Sequence, residues 1–525
     1  MKILVTDAVE QRCIDLLKAE GFQVDVQATL SPERLKAVIA GYEALIVRSA
    51  TNVTADVLAV AGALKVVGRA GAGVDNIDVD AATRRGIVVM NTPGGNTIST
   101  AEHTMSLMLS LSRNIPQAFE SLKQGKWDRK KYVGTELLGK TMGIIGLGKV
   151  GREVAVRSQA FGMTTIGYDP VLSDEVASKM NIQLVSLDEL YEISDVISVH
   201  TPLNDETRAL ISEAQFGKCK AGVRIINCAR GGIVDEAALL QALESGKVAG
   251  AAIDVFENEP PGDHPLLKHP HVIATPHLGA STEEAQEKVA TQIAQQVADF
   301  LKDRGVSGAV NAEVIQMAMK KEIKPYVQLA ERLGNLLAQL MNGQLKKLTV
   351  HCRGGYLVQS SKLISAAVLK GVLSHLMSEP VNLINAPVLA RERGVLLKEE
   401  QESEHEAYLH LLTVDFETEK EKRSFSGTVF GSAHLRIVKI DEYHLEITPD
   451  GYLLFYKNID KPGMLATVGS ILAQAGINIA GLALGRDNPG QRALTIINVD
   501  SPIPITVLRQ LEKVDGVFEV KAVRL

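Results

Sequence analysis

The chain has 525 residues, 56 basic and 62 acidic, a formal net charge of -6, 22% charged residues and 4% aromatic ones. That length exceeds what one core serves, since domains usually hold about 50–250 residues, so roughly three or four units are expected. Near-balanced charge and few aromatic rings leave neither a basic stripe nor a stacking platform, which excludes nucleic acid as a partner.

Cysteines 13, 219, 228 and 352 are scattered, with no C-x-x-C pair and no histidine at ligand spacing. No metal site is expected, and reduced thiols fit a cytoplasmic protein. The opening "MKILVTDAVE" does not read as a signal peptide, and no run reaches the roughly 18 apolar residues of a membrane helix, so no membrane partner is expected.

From residue 1 to about 97, the apolar runs "KILVT", "ALIVR", "LKVVGR" and "GIVVMN" alternate with segments of helical period such as "PERLKAVIA". That is the pattern of parallel strands buried on both faces and joined by crossover helices. "STAEHTMSLMLSLSRNIPQAF" then reads as one long buried helix, and a second α/β series runs through "TMGIIGLG", "MTTIGYD", "DVISVH", "VRIINCA", "GAAID" and "VIATP". Two Rossmann-like parallel-sheet units in succession are therefore expected.

The helix "TEEAQEKVATQIAQQVADFLK" leads into the small-residue stretch "DRGVSGAVNAEV", which marks a boundary. Residues 313–345 look helical, and "LKKLTVHCRG", "AYLHLLTVDFE", "RSFSGTVFG" and "HLRIVKIDEYHLEI" read as strands of an α+β region without glycine-rich turns. From about 451 onward the order strand, helix, strand, strand, helix, strand predicts a ferredoxin-like βαββαβ unit.

Gly146, Gly148 and Gly151 form G-x-G-x-x-G between an apolar strand and a helical segment. Bare backbone there lets a pyrophosphate approach, and the helix N-terminus stabilises its charge. Asp169 ends the next strand, where a carboxylate accepts hydrogen bonds from a ribose 2′-hydroxyl and repels a 2′-phosphate, favouring NAD over NADP.

Arg230, Glu259 and His277 follow three successive strand ends, the edge at which open α/β sheets bind ligands. Oxidising a 2-hydroxy acid needs a base for the hydroxyl proton, and histidine titrates near the working pH. A carboxylate such as Glu259 can orient that imidazole, while a guanidinium such as Arg230 can bind a substrate carboxylate in a fork. Taken singly, each has a plain alternative: a surface salt bridge, a solvated loop acid, a structural histidine.

The stretches "VGRAGAGVDNID", "MNTPGGNTISTAEHT", "GKTMGIIGLGKVGREVA", "SVHTPLNDETRALI", "INCARGGIVDEAAL", "DVFENEPP" and "TPHLGASTEEAQ" resemble the NAD-dependent D-isomer-specific 2-hydroxyacid dehydrogenases. Within that family the likeness, covering about 1–310, is to long-form members that oxidise 3-phospho-D-glycerate. The resemblance implies that Arg230, Glu259 and His277 are the catalytic set. It also implies cofactor contacts from Ala72, Lys149, Val150, Asp169, Thr201, Cys228, Ala229, Asp254, Gly279 and Ala280. Relatives often carry threonine where Ala72 stands; the missing hydroxyl is worth about 0.5–1.5 kcal/mol and leaves the activity class unchanged.

A substrate bearing phosphate and carboxylate would draw on Arg48, Ser49, Arg69, the Gly71 backbone and Asn96, with Arg129 or Lys130 reaching across a dimer interface. The basic run "KWDRKKY" that holds these last two also fits a solvated face. The implied layout is a substrate-binding domain (1–97, completed by 280–308), an NAD-binding domain (98–279), an intervening domain (309–450) and a C-terminal regulatory domain (451–525), with hinges near 97–100 and 278–283.

The C-terminal unit resembles an ACT domain through "KNIDKPGMLATVGSILAQAGINIAGL", which implies an amino-acid effector, L-serine, held by Asn458, Asp460 and Asn478. The alternative is that the unit only dimerises. The activity implied is oxidation of 3-phospho-D-glycerate to 3-phosphooxypyruvate, the first step of L-serine synthesis, by a homo-oligomer. Reduction of another 2-oxo acid, such as hydroxypyruvate or glyoxylate, is the nearest alternative. A non-catalytic NAD-binding scaffold or corepressor is the other.

Overall fold

The four apolar runs of the first hundred residues become the parallel strands β1 (Lys2–Val5), β3 (Ala44–Val47), β4 (Val66–Arg69) and β5 (Val88–Met90), and the more polar β2 (Gln23–Val26) adds an edge, in the order β2-β1-β3-β4-β5. The structure is a computed structural model that describes residues 1–525 apart from 28, 319, 404–406, 432, 487 and 489. Strand alternation sends Ile3, Val5 and Ile46 to one core and Leu4, Leu45 and Val47 to another, so both faces are covered. The helix Glu283–Leu301 returns to this sheet and buries Val289, Ile293 and Val297 on the Ile3 face. A Cβ on Gly68 would come within 2.9 Å of both Ile293 and Val297, so that glycine sets how closely helix and sheet approach.

The second sheet contains β6 (Thr141–Ile145), β7 (Thr164–Tyr168), β8 (Gln183–Leu184), β9 (Val196–Val199), β10 (Val223–Asn227), β11 (Val248–Ile253) and β12 (Val272–Ala274). Its order, β12-β11-β10-β9-β6-β7-β8 with every pair parallel, reverses direction between β6 and β9. That switch point opens a crevice beyond the strand ends, where ligands bind in such sheets.

The expected single helix after residue 97 is two: Thr97–Arg113 and Ile115–Lys123. Asn114 between them takes φ +53°, a left-handed cap that asparagine tolerates, and Pro116 falls in the opening turn of the second helix, where no N–H is missed. The first helix buries Met105 and Met108 under the second sheet, whereas the second exposes Ile115, Phe119 and Leu122.

The α+β region forms a six-stranded sheet: β13 (Leu345–Arg353), β14 (Leu396–Glu402), β15 (Leu411–Thr418), β16 (Lys422–Phe430), β17 (His434–Ile440) and β18 (Tyr443–Ile447), ordered β14-β13-β15-β16-β17-β18. The run expected as one strand, "HLRIVKIDEYHLEI", is the hairpin β17–β18, turned at Asp441 with φ +52°. Helices Lys324–Leu340 and Ser361–Leu376 cover one face of the sheet. They touch through reciprocal glycines, since a Cβ on Gly334 would lie 2.1 Å from the Val368 carbonyl oxygen and one on Gly371 would lie 2.0 Å from that of Glu331.

The C-terminal unit has the expected βαββαβ order, with strands β19 (Tyr452–Ile459), β20 (Ile479–Arg486), β21 (Arg492–Val499) and β22 (Val517–Arg524). Leu454 and Tyr456 face its own helices, but Leu453, Phe455 and Ile496 join Leu329 and Leu333 in one core with the preceding unit. The two C-terminal units are thus fused through buried apolar surface. They dock on the first unit through Ile384, buried in its core, and through Asn382 Nδ2, which donates to the Gly86 carbonyl at 2.8 Å. Among the described residues no helix is long and apolar enough to cross a membrane.

Candidate active site

A cleft of about 450 Å³ lies between the two parallel-sheet units, lined from one side by Ala72, Asp75 and Asn96 and from the other by Val150, Thr201, Arg230 and His277. A larger hollow of about 800 Å³ separates the first unit from residues 379–385, but its lining includes no histidine. Chemistry rather than volume selects the cleft.

The glycine loop closes β6 against the helix Lys149–Ala160. Gly146 takes φ +94°, and a Cβ on Gly151 would sit 2.1 Å from the Gly146 carbonyl oxygen, so neither position accepts a side chain. Gly148 caps the helix, and a Cβ there would meet nothing within 4 Å, which leaves the helix N-terminus approachable. Lys149 Nζ donates across the cleft to the Pro93 carbonyl at 3.2 Å.

Asp169, the expected ribose acceptor, already has backbone partners. Its Oδ2 accepts the Leu147 N–H at 2.9 Å, and its Oδ1 accepts those of Val171 and Leu172 at 2.9 and 3.0 Å, so it also holds the glycine loop. Burial alone would raise its pKa, but these backbone bonds and Arg152 outweigh burial and hold it below the usual carboxylate value. Asp169→Ala is expected to narrow the preference for NAD over NADP and, by loosening the loop, to weaken NAD binding about tenfold or more. Equilibrium titrations with both dinucleotides check this; an unchanged ratio removes the ribose contact.

Two observations fit NAD: the open approach at Gly148, and the buried Thr201 Oγ1, which has no hydrogen-bond partner among the described residues. Ala72, Val150, Cys228, Ala229, Asp254, Gly279 and Ala280 also line the cleft. Burial pushes the Cys228 thiol up to about 12, which makes it apolar lining rather than a nucleophile.

His277 Nδ1 lies 2.7 Å from Glu259 Oε2, and Glu259 Oε1 accepts the Phe256 N–H at 3.1 Å. His277 lines the cleft and takes φ +56°, a left-handed conformation that costs a non-glycine residue about 1–3 kcal/mol. The loop is held by Asp254, whose backbone oxygen accepts the His277 N–H at 2.9 Å while its carboxylate accepts those of Leu278 at 2.7 Å and Gly279 at 2.9 Å. The other histidine on the cleft, His200, is pulled down to about 4 by burial and stays neutral, with its ring Nε2 2.8 Å from Ser198 Oγ.

Arg230 Nη1 donates to the Ala229 carbonyl at 2.7 Å, and its Nε donates to Asp75 Oδ2 of the opposite unit at 3.1 Å. A Cβ on Gly73 would lie 2.1 Å from Arg230 Nη2, so the glycine makes room for the guanidinium. Asn227 braces the turn, donating to the Arg230 carbonyl at 2.9 Å and accepting the Ala229 N–H at 3.0 Å.

Arg48 and Arg69 stand at the strand ends expected of them. Burial, then Arg230, lower the Arg69 pKa, with Asp75 opposing and Arg48 adding to the depression, so Arg69 feels the positive charge of two neighbouring guanidinium groups. Arg69 Nε donates to Asn76 Oδ1 at 3.1 Å, a Cβ on Gly71 would lie 2.3 Å from Arg69 Nη1, and Ser49 is exposed beside them. Asn76 and Asp7, neither anticipated, organise this edge: Asn76 Nδ2 donates to the Arg48 carbonyl at 2.7 Å, and Asp7 accepts the Arg48 N–H at 2.8 Å. Arg129 and Lys130 are exposed and do not line the cleft of their own chain.

The three C-terminal effector candidates are not gathered in one protomer. Asn458 pairs with Ala493, which pairs with Arg486, so Asn458 and Asp460 lie beside the end of β20, and Asp460 bonds Arg486 at 3.0 Å. Asn478 precedes the start of β20, a strand length of roughly 25 Å away, and donates to Asp500 at 2.6 Å.

Three family models match in succession: D-isomer specific 2-hydroxyacid dehydrogenase, NAD binding domain, over residues 105–279; D-3-phosphoglycerate dehydrogenase intervening domain over 322–441; and ACT domain over 452–516. D-3-phosphoglycerate dehydrogenase of Archaeoglobus fulgidus is 44% identical over the whole of both chains. The chain belongs to the D-3-phosphoglycerate dehydrogenase family of D-isomer-specific 2-hydroxyacid dehydrogenases. The protein of that name from Bacillus subtilis is 43% identical over 92% of each chain.

Among solved structures, a glyoxylate reductase from Paecilomyes thermophila matches at TM-score 0.55 and 32% identity, over 59% of this chain and 98% of its own. D-lactate dehydrogenase from Aquifex aeolicus, complexed with NAD and lactic acid, matches at TM-score 0.52 and 29% identity, over 57% and 96%. The family resemblance read from the quoted stretches is therefore correct, and so is the α/β fold with its α+β and ACT extensions.

Proposed function

We propose that this chain oxidises 3-phospho-D-glycerate to 3-phosphooxypyruvate with NAD, the first step of L-serine synthesis. The observation that carries the reading is the His277–Glu259 pair at 2.7 Å on the same cleft as Arg230. His277 takes the C2 hydroxyl proton, and Glu259 holds the ring's Nδ1 and stabilises the imidazolium that results. Arg230 binds the substrate carboxylate and polarises the C2 oxygen, releasing Asp75 as it does so. Arg48 and Arg69, with Ser49, the Gly71 backbone and Asn96, hold the phosphate and carboxylate. The glycine loop, Asp169 and Thr201 would hold NAD, which would supply the acceptor for the C2 hydride. Water is excluded as the two units draw together about 97–100 and 278–283, where Ser99 Oγ and Thr100 Oγ1 already bond the Gly279 carbonyl at 2.7 and 3.1 Å.

The test is a substrate panel read by NADH formation for 2-hydroxy acids and by NADH consumption for 2-oxo acids, with and without L-serine. We expect kcat/KM for 3-phosphoglycerate to exceed that of unphosphorylated 2-hydroxy acids about tenfold or more, because charged hydrogen bonds contribute about 1.5–3 kcal/mol each. Equal or better turnover of hydroxypyruvate or glyoxylate selects the reductase alternative. No turnover of any 2-oxo or 2-hydroxy acid selects the scaffold.

Serine sensing by Asn458, Asp460 and Asn478 takes residues from two copies of the chain. A homo-oligomer is also supported by the exposed Phe119, Leu122 and Trp127 on and after the helix Ile115–Lys123. Asn478→Ala is expected to blunt serine inhibition without changing kcat at zero serine; intact inhibition moves the effector elsewhere.

A further inference from the structure

The helix Thr97–Arg113 presents Ser99, Thr100 and His103 to the loop that carries His277. The first two hold the Gly279 carbonyl. His103 Nε2 lies 3.1 Å from Asp254 Oδ1 and 3.1 Å from Thr275 Oγ1. The Thr275 hydroxyl donates its proton to Asp254 Oδ1 at 2.6 Å, so both oxygens facing the ring are acceptors and Nε2 carries a proton.

Asp254 is 1% exposed, a sunken carboxylate that must be satisfied by donors. Burial pushes its pKa up, and the bonds from His103, Thr275, Leu278 and Gly279 overcome that and hold it below the usual value. Two of those four donors are the backbone amides immediately after His277, and the Asp254 carbonyl accepts the amide of His277 itself. Asp254 therefore grips both sides of a residue kept at φ +56°, and His103 supplies the side-chain proton that completes its carboxylate.

Resting on the dehydrogenase reading above, we infer that His103 is a positioning residue for the reaction: through Asp254 it fixes the loop 275–279 so that the His277 ring meets the substrate hydroxyl. It touches neither substrate nor cofactor in this role. Its effect falls on the chemical step, because a ring misplaced by about 1 Å loses rate on the order of 10²-fold while ground-state contacts elsewhere persist.

The test compares full-length His103→Leu and His103→Gln with the parent. Hydrogen exchange is followed in the peptide spanning 275–279, with kcat, KM for 3-phosphoglycerate and NADH affinity measured in parallel. We expect faster exchange in that peptide for His103→Leu, a kcat lower by about 10- to 100-fold and KM within about threefold. The Gln variant, whose amide N–H reaches the same oxygens, recovers most of both losses. Should the Leu variant not fold, Thr275→Val removes another donor to Asp254 and is expected to give the same exchange and kcat pattern.

Unchanged exchange, a kcat within about twofold of the parent, or a Gln variant as damaged as the Leu variant overturns the inference. A parent that turns over no 2-hydroxy acid overturns the dehydrogenase reading instead; the exchange data then still decide whether His103 holds the loop.

Discussion

The expected result of His277→Ala is a kcat lower by about 10²- to 10⁴-fold with NADH affinity nearly intact, since a positioned acid–base group typically contributes that much. The separation is physical. The loop's backbone is anchored by bonds from residues 277, 278 and 279 to Asp254, none of which uses the imidazole. Histidine tolerates the left-handed φ better than alanine does, but the three bonds to Asp254 hold the backbone in either case. What disappears is the ring and its 2.7 Å contact with Glu259. Steady-state kinetics paired with an NADH fluorescence titration check both halves. A rate within a few-fold of the parent removes His277 from its role, whereas an equal loss of NADH affinity marks it as structural.

Gly151→Ala is expected to weaken NAD binding by roughly 10- to 100-fold, matching an overpacking cost of about 1–3 kcal/mol. The added Cβ would lie 2.1 Å from the Gly146 carbonyl oxygen, which is backbone. Gly146 cannot retreat freely, because a Cβ in its own place would already be 2.6 Å from the His200 carbonyl oxygen. The helix Lys149–Ala160 must therefore shift away from β6 and carry its N-terminal N–H groups with it. Gly148→Ala is the control: its Cβ meets no protein atom within 4 Å, so it should leave the thermal midpoint unchanged and weaken NAD only by obstructing the cofactor. Calorimetry and NAD titration of the two variants distinguish a displaced helix from a blocked approach. A Gly151→Ala protein that binds NAD as the parent does refutes the close-packing account.

Much of this was legible in the residues themselves. The glycine loop and Asp169 announce nucleotide chemistry because strand, bare turn, helix and acid follow one another within a single βαβ unit, so local geometry suffices. Arg230, Glu259 and His277 were legible as strand-end residues of one parallel sheet, since parallel topology sends all those ends to one edge. The same reasoning located Arg48 and Arg69.

Other features were not legible. The helix break at Asn114 hinged on one left-handed asparagine inside an otherwise continuous apolar pattern. The helix Ser361–Leu376 is buried nearly all round, so it lacks the one-sided stripe that identifies a helix from sequence. The core shared by the two C-terminal units escaped notice because β19 is apolar on both faces, and alternation cannot say what covers the second one.

The amino-acid sequence alone therefore determined the family and the order of its folding units, and it named the candidate acid, base and cation, because these depend on residue type and on neighbours along the chain. The folded chain decided which of them meet. Asp75 reaches Arg230 across 155 positions, His103 reaches Asp254 across 151, and Asn458 and Asn478, only 20 apart in number, end at opposite ends of a sheet. Side-chain contacts act over a few ångströms, and how two sheets dock and which strands pair, not distance along the chain, sets which groups come that close.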